Sequence, residues 1–168
     1  MSLMIDFGVI FRPRDNEELC QVSLGPKDYK KDLKKVLKVI KSKNLNPDER
    51  QRIVSKKMRG VWWAECDDQS IIHIYLIKSG YPDYLASELI HKSKETISDI
   101  PSYYNETAEF VTKAFKSDML EFMEHFGNPQ KNDKLQKIIS KVDETKQKME
   151  KNLSKAIENN QNLNVSFF

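Results

Sequence analysis

The hydrophobic residues at the start of the chain alternate with polar ones, which is the period of a half-buried strand. Four apolar residues are predicted to share one side of this strand: Ile5, Phe7, Val9 and Phe11. Turn-forming residues follow at 13–16, and a second strand is predicted over 19–24. Together the two segments predict an N-terminal β-hairpin.

A change of period after Gly25-Pro26 predicts a helix. Its apolar stripe consists of Tyr29, Leu33, Val36, Leu37 and Ile40. The opposite face carries Lys31, Lys34, Lys35, Lys38 and Lys41. An ordinary solvated face is the favoured interpretation of these lysines. The alternative is a contact with a membrane surface, to which Lys56, Lys57 and Arg59 would add.

A polar linker is predicted over 44–52, followed by strands over 58–65 and 71–77. The last of these segments is apolar on both faces, which predicts a central strand covered on both sides. Two amphipathic helices come next. The first begins at Pro82 and closes before Pro101, and the second covers 109–126 and stops at Gly127-Asn128-Pro129.

The composition disfavours several classes of function. The chain has 28 basic and 25 acidic residues, a balance that gives no reason to expect nucleic acid as a partner. No window reaches the roughly 18 apolar residues that a membrane span needs. Cys20 and Cys66 lie far apart, which predicts a reduced, cytoplasmic chain. His73, His91 and His125 form no metal-binding spacing, so no enzyme activity, metal or cofactor is expected.

The composition changes after Pro129, where aromatic residues disappear and lysine, asparagine and acidic residues dominate. This change predicts two parts, a folded domain over 1–128 and a second segment over 129–168. In the second segment, the residues that would share one side of a helix recur at alternating steps of three and four. This is the spacing of a coiled-coil seam. The seam positions are Leu135, Ile138, Val142, Thr145, Met149, Asn152, Ala156, Asn159 and Leu163.

Several seam residues are small or polar, which weakens a self-pairing coiled coil and selects for particular partners. The seam therefore predicts one strand of a hetero-oligomer that becomes ordered when partner helices arrive. Periodicity alone leaves a second interpretation equally open, in which the segment is a regular helix docked on its own domain.

The second segment resembles the N-terminal half of a synaptobrevin-type R-SNARE motif. Lys134-Leu135-Gln136, Val142-Asp143-Glu144-Thr145, Met149 and Asn152-Leu153 carry this resemblance. The order of elements before it, with Gly80-Tyr81-Pro82 ahead of the second helix, resembles a longin domain. Asn128-Pro129 and Asp143 to Lys146 are most similar to the lipid-anchored longin branch. The resemblance implies an α/β (α+β) fold, a longin/profilin-like mixed sheet of about five strands with helices on both faces.

The resemblance also implies a role in vesicle traffic among the ER, the Golgi and endosomes. The longin domain would regulate and sort an R-SNARE motif that joins Q-SNARE helices during membrane fusion. The protein would then be cytoplasmic and peripheral on endomembranes, held by a lipid anchor that is absent from this chain. An intramolecular contact is also expected, with residues 135–149 folded back on an apolar groove formed by Leu33, Leu37, Ile40, Val61 and Trp63.

Two departures from the family limit what the resemblance implies. Asn159 occupies the position of the family's central arginine and lacks its charge and five-donor fork. The second half of the motif is also missing, so we expect partner binding without membrane fusion. A scaffold subunit of an adaptor or tethering complex is the alternative function. An RNA-binding module using the two tryptophans is disfavoured, because acidic residues flank the predicted sheet edges.

Overall fold

The fold is an α+β arrangement of five strands and three helices, and the computed structural model describes residues 3–55 and 60–129. In chain order the elements are β1 (Ile5–Arg12), β2 (Glu17–Ser23), α1 (Lys30–Lys43), β3 (Arg50–Ser55), β4 (Gly60–Cys66), β5 (Ile72–Lys78), α2 (Asp83–Ser98) and α3 (Ala108–Phe126). Short 3-10 helices occur at Pro13–Asp15 and Tyr103–Asn105. The predicted hairpin and all three predicted helices are confirmed, each with small shifts at its ends.

The five strands form one sheet in the order β2-β1-β5-β4-β3. All four strand pairings are antiparallel. The prediction of a mixed sheet is therefore wrong: neighbouring strands are joined by hairpins, except where β1 meets β5 at the centre. The apolar segment predicted as a central strand is β5, and its position in the middle of the sheet is confirmed. Its central position explains why both of its faces are buried.

Helices cover both faces of the sheet. α1 connects β2 at one edge to β3 at the other, and its 14 residues give a length of about 21 Å. Five strands about 4.8 Å apart span roughly 19 Å, so one helix of this length can cross the whole sheet. α1 packs over Phe7, Val9 and Trp62 in one apolar core. α2 and α3 together cover the opposite face in a second, larger core.

The alternation along the strands is interrupted at two bulges. One is in β1, between Ile5 and Phe7, and the other is in β2, where Leu19 is the extra residue opposite Ile10 and Phe11. Phe7, Val9 and Phe11 face α1, whereas Ile5 packs in the core beneath α2 and α3. The prediction that Ile5 shares their side is therefore wrong, because a bulge inserts a residue and reverses the side on which the next side chain points.

Strand β3 begins at Arg50, inside the segment predicted to be a linker. Its sequence, Arg-Gln-Arg-Ile-Val-Ser, is polar at the start because β3 forms an edge of the sheet. Edge strands often carry charged residues, which discourage pairing with other chains. Among the described residues, none of the helices combines the length and apolarity needed to cross a membrane.

Candidate interaction surfaces

The five residues predicted to form one apolar groove lie in two different places. Leu33 and Ile40 are buried beneath α1, and Leu37 packs at the edge of that core with part of its surface exposed. Val61 and Trp63 belong to the opposite core, on the side of α2 and α3. The prediction of a single groove is therefore wrong. Along β4 the side chains alternate, so Trp62 points toward α1 while its two neighbours point away from it.

Val61 and Trp63 instead line a crevice of about 330 Å³ beside the corner between β5 and α2. The guanidinium carbon of Arg52 lies 4.4 Å from the centre of the Trp63 ring, a cation–π contact. The Arg52 Nη2 atom is 3.6 Å from the Asp83 Oδ1 atom, at the first residue of α2. Burial lowers the pKa of Arg52, and the charge of Asp83 opposes that effect. The crevice thus combines apolar side chains with a partly buried ion pair, and Lys78 adds another charge to its lining.

The end of α3 is fixed next to the same crevice. Tyr81, which lines the crevice, donates a hydrogen bond from its hydroxyl to the Phe126 carbonyl oxygen at 2.7 Å. The Met4 amide donates to the Gly127 carbonyl oxygen at 2.8 Å. A Cβ atom added at Gly127 would lie 2.7 Å from the Met123 carbonyl oxygen, so this close approach requires glycine. The chain therefore leaves the folded domain from a fixed point beside the crevice.

A second surface lies between α2 and α3, where a groove of about 570 Å³ runs along the two helices. Phe122 and Phe126 contribute apolar surface to it. Its rim carries carboxylates from both helices: Glu88, Glu95, Asp99, Asp118 and Glu121. The groove is therefore more acidic than the outer face of α1, which is dominated by lysines.

A hydrogen-bonded chain of side chains lies buried between β5 and the α2–α3 layer. The Tyr75 hydroxyl donates to the Ser93 Oγ atom at 2.6 Å, and the Ser93 Oγ atom is 2.7 Å from the His73 Nδ1 atom. The His73 Nε2 atom is 3.1 Å from the Asp67 Oδ2 atom. The Tyr103 hydroxyl donates to this same oxygen at 2.6 Å. One arrangement of protons satisfies every atom, with the Ser93 hydroxyl donating to Nδ1 and Nε2 donating to the carboxylate.

The order serine–histidine–aspartate resembles a hydrolase triad, but the relative exposure of His73 and Ser93 is 0% and that of Asp67 is 4%. A nucleophile in this position has no contact with solvent, so the chain of hydrogen bonds holds β5, α2 and the 103–105 turn together. Burial on its own raises the pKa of a carboxyl group, yet hydrogen bonds from His73 and Tyr103 hold the pKa of Asp67 below its ordinary value.

Asp67 also forms the tight turn between β4 and β5. Its Oδ1 atom accepts hydrogen bonds from the Gln69 and Ile71 amides at 2.9 Å and 3.0 Å. Asp67 therefore stabilises the turn, and His73 of the adjoining strand is buried. Sequence reasoning missed the connection to Ser93. The available signal was a serine on the apolar stripe of α2, opposite a histidine in an apolar strand.

The nine predicted seam positions, from Leu135 to Leu163, lie outside the described residues. No group of three or more histidine, cysteine or acidic side chains arranged to hold a metal ion occurs within 3–55 and 60–129. In comparisons with known proteins, the chain matches no family model and no curated protein. Its function is therefore inferred from its own residues.

Proposed function

We propose that the protein acts in vesicle traffic as a longin-type R-SNARE, a binding protein rather than an enzyme. In this proposal the folded domain regulates and sorts the segment 129–168, which joins Q-SNARE helices at endomembranes. The observation that carries the proposal is the seam from Leu135 to Leu163, where steps of three and four alternate without a slip. A seam with this period and with polar core residues is typical of a helix that pairs with particular partners.

Two features of the described domain support the proposal. The order of elements, the five strands and the helices on both faces of the sheet agree with what the longin resemblance implied. The point where the chain leaves α3 is fixed by the hydrogen bonds of Tyr81 and Met4. A segment that starts from a fixed point has a limited set of surfaces within reach, which favours regulation by contact with its own domain.

The regulatory contact is proposed to hold residues 135–149 against the folded domain until partner helices compete for them. The crevice lined by Val61 and Trp63 is the better-placed surface, because Tyr81 both lines it and binds the end of α3. The edge of the α1 core at Leu37 is the other surface that holds residues of the predicted groove. Amide exchange across residues 135–149 reports this contact, and exchange at the rate of an unprotected peptide contradicts it.

The proposal is tested by mixing the full chain with three Q-SNARE helices and recording the far-ultraviolet circular dichroism. We expect more helix in the mixture than in the sum of the separate components, because the seam becomes covered only in the bundle. Replacing Ile138, a seam residue, by Asp should abolish the gain.

Ile139→Asp is the matched control, since it places the same charge one residue away and off the seam. We expect this variant to keep most of the gain in helix. A spectrum that equals the sum of the components contradicts the R-SNARE proposal and leaves the scaffold-subunit alternative. Equal loss in both variants also contradicts it, because the seam would then have no special role.

A further inference from the structure

The outer face of α1 carries a continuous array of lysines. Five of them are exposed: Lys31, Lys34, Lys35, Lys38 and Lys41. All but Lys41, which lies at the flank near Phe11, are on the outer side of the helix. Together the five cover eleven residues of helix, or about 15 Å along its axis. The acidic residue of α1, Asp32, lies on the flank of the helix and is half-buried.

This array makes the distribution of charge uneven within a domain whose formal net charge is zero. Residues 1–129 contain 20 basic and 20 acidic residues. α1 has seven lysines and one aspartate, a net charge of +6, so the rest of 1–129 carries −6. None of the five lysines forms an ion pair with another described residue. Lys41 makes a different contact, with its Nζ atom 5.6 Å from the centre of the Phe11 ring.

The spacing of the lysines places like charges next to each other. Lys31 and Lys35, and Lys34 and Lys38, are four residues apart, and further pairs are three apart. Such pairs destabilise a helix, whereas a helix that only faces water gains from mixed charges at these spacings. α3 has this mixed pattern, with Lys113 3.3 Å from Glu109. The lysine face therefore costs stability that solvation alone does not require.

We propose that the lysine face of α1 docks the domain on an anionic lipid bilayer. Groups of four to eight basic residues on one face of an amphipathic helix are attracted to anionic lipid headgroups. The face presents lysine ammonium groups, which act as point charges, and it has no arginine or aromatic side chain. Lysines suit a surface with distributed negative charge, whereas arginine and aromatic rings are better suited to individual phosphates and bases. Because the apolar side of α1 is buried in the core, the contact is electrostatic and sensitive to salt. This inference does not rest on the R-SNARE proposal.

The test is flotation of the full chain with phosphatidylcholine vesicles that contain or lack phosphatidylserine, at low and high salt. We expect binding only to the vesicles with phosphatidylserine, and its loss at high salt. The triple variant Lys34→Gln, Lys35→Gln and Lys38→Gln should bind these vesicles on the order of a hundredfold more weakly. Glutamine keeps a high helix propensity, and circular dichroism checks that the variant is folded.

The matched control is the triple variant Lys92→Gln, Lys113→Gln and Lys116→Gln on α2 and α3. It removes the same three charges from exposed positions on the opposite side of the sheet, and its binding should be nearly unchanged. Equal weakening in both triple variants overturns the proposal, because net charge alone would then explain binding. Absence of binding by the unaltered chain also overturns it. Binding to a homopolymeric RNA without binding to the vesicles makes nucleic acid the partner instead.

Discussion

The two faces of the sheet are covered in different ways. On one face two helices, α2 and α3, pack over a core whose buried polar groups, Tyr75, Ser93, His73 and Asp67, bond to one another. On the other face a single helix crosses the sheet. Near β3 on that side the Trp62 Nε1 atom is buried and has no hydrogen-bond partner among the described residues. A buried donor without a partner costs free energy, whereas the polar groups of the Tyr75–Asp67 chain all have partners.

The two layers also differ in the charge of their outer surfaces. The outer face of α1 is an array of lysines, whereas the lining of the groove between α2 and α3 includes five acidic residues and one lysine. The α2–α3 layer thus has internal hydrogen bonds and surface charges of both signs. The α1 layer instead has an apolar stripe on its inner side and a strongly basic outer face. In the proposal made above, the α1 layer meets a negatively charged surface, while the hydrogen bonds of the α2–α3 layer hold together the elements on the other side of the sheet.

The largest expected effect concerns the buried carboxylate of the α2–α3 layer. Asp67→Asn removes the charged acceptor for the Tyr103 hydroxyl and His73, and we expect it to lower the free energy of unfolding by about 2–3 kcal/mol. Urea unfolding followed by tryptophan fluorescence measures this change. Asp68→Asn, at an exposed neighbouring position, is the control and should change the free energy by less than about 0.5 kcal/mol. If the two variants lower the free energy of unfolding equally, the hydrogen bonds of Asp67 contribute nothing beyond its negative charge.

The same variant has a defined dependence on pH. The pKa of Asp67 in the folded protein is below its ordinary value of 3.8, so its ionised form stabilises the fold. That contribution is complete above the ordinary value and is lost as the pH falls below it, toward the lowered value in the folded protein. The difference in stability between the unaltered chain and Asp67→Asn should therefore shrink in this acidic range. A difference that stays constant there contradicts this assignment.

Much of the fold follows from the order of apolar and polar residues. The stripes of α1, α2 and α3 and the apolar run of β5 predicted those elements, because burial sets the period of side chains. β3 was not predicted, since an edge strand buries too little to show a clear period. The side on which Ile5 packs was predicted wrongly, because a bulge reverses alternation and leaves no mark in composition.

The candidate groove illustrates a different limit. Alternation shows which residues share a face of one strand, but it does not show which face a given helix covers. Leu37 and Val61 were therefore predicted to be neighbours although they belong to opposite layers. The network of Asp67 and Ser93 was also out of reach, since these residues are brought together from separate elements only by packing.

The proposed contact of residues 135–149 offers a direct comparison of the two layers. Val61→Lys and Leu37→Lys each place a charge at a half-buried apolar position, one on each side of the sheet. If the segment docks in the crevice, Val61→Lys should speed its amide exchange roughly tenfold, which corresponds to about 1.4 kcal/mol of lost apolar contact. Leu37→Lys should leave the exchange unchanged. The reverse result would place the contact on the α1 layer, and equal exchange in all three proteins contradicts a closed state.

The smallest expected effect tests the difference in surface charge between the layers. Lys38 is three or four residues from Lys34, Lys35 and Lys41 and is repelled by them. Lys38→Glu turns these repulsions into attractions, so it should raise the free energy of unfolding by about 1 kcal/mol. Lys113→Glu on α3 instead breaks the pair with Glu109 and should lower the free energy of unfolding slightly. Thermal and urea unfolding at low salt measure both changes, and high salt should reduce them. Changes of the same sign on both helices would mean that the lysine face of α1 is an ordinary solvated surface with no cost to the fold.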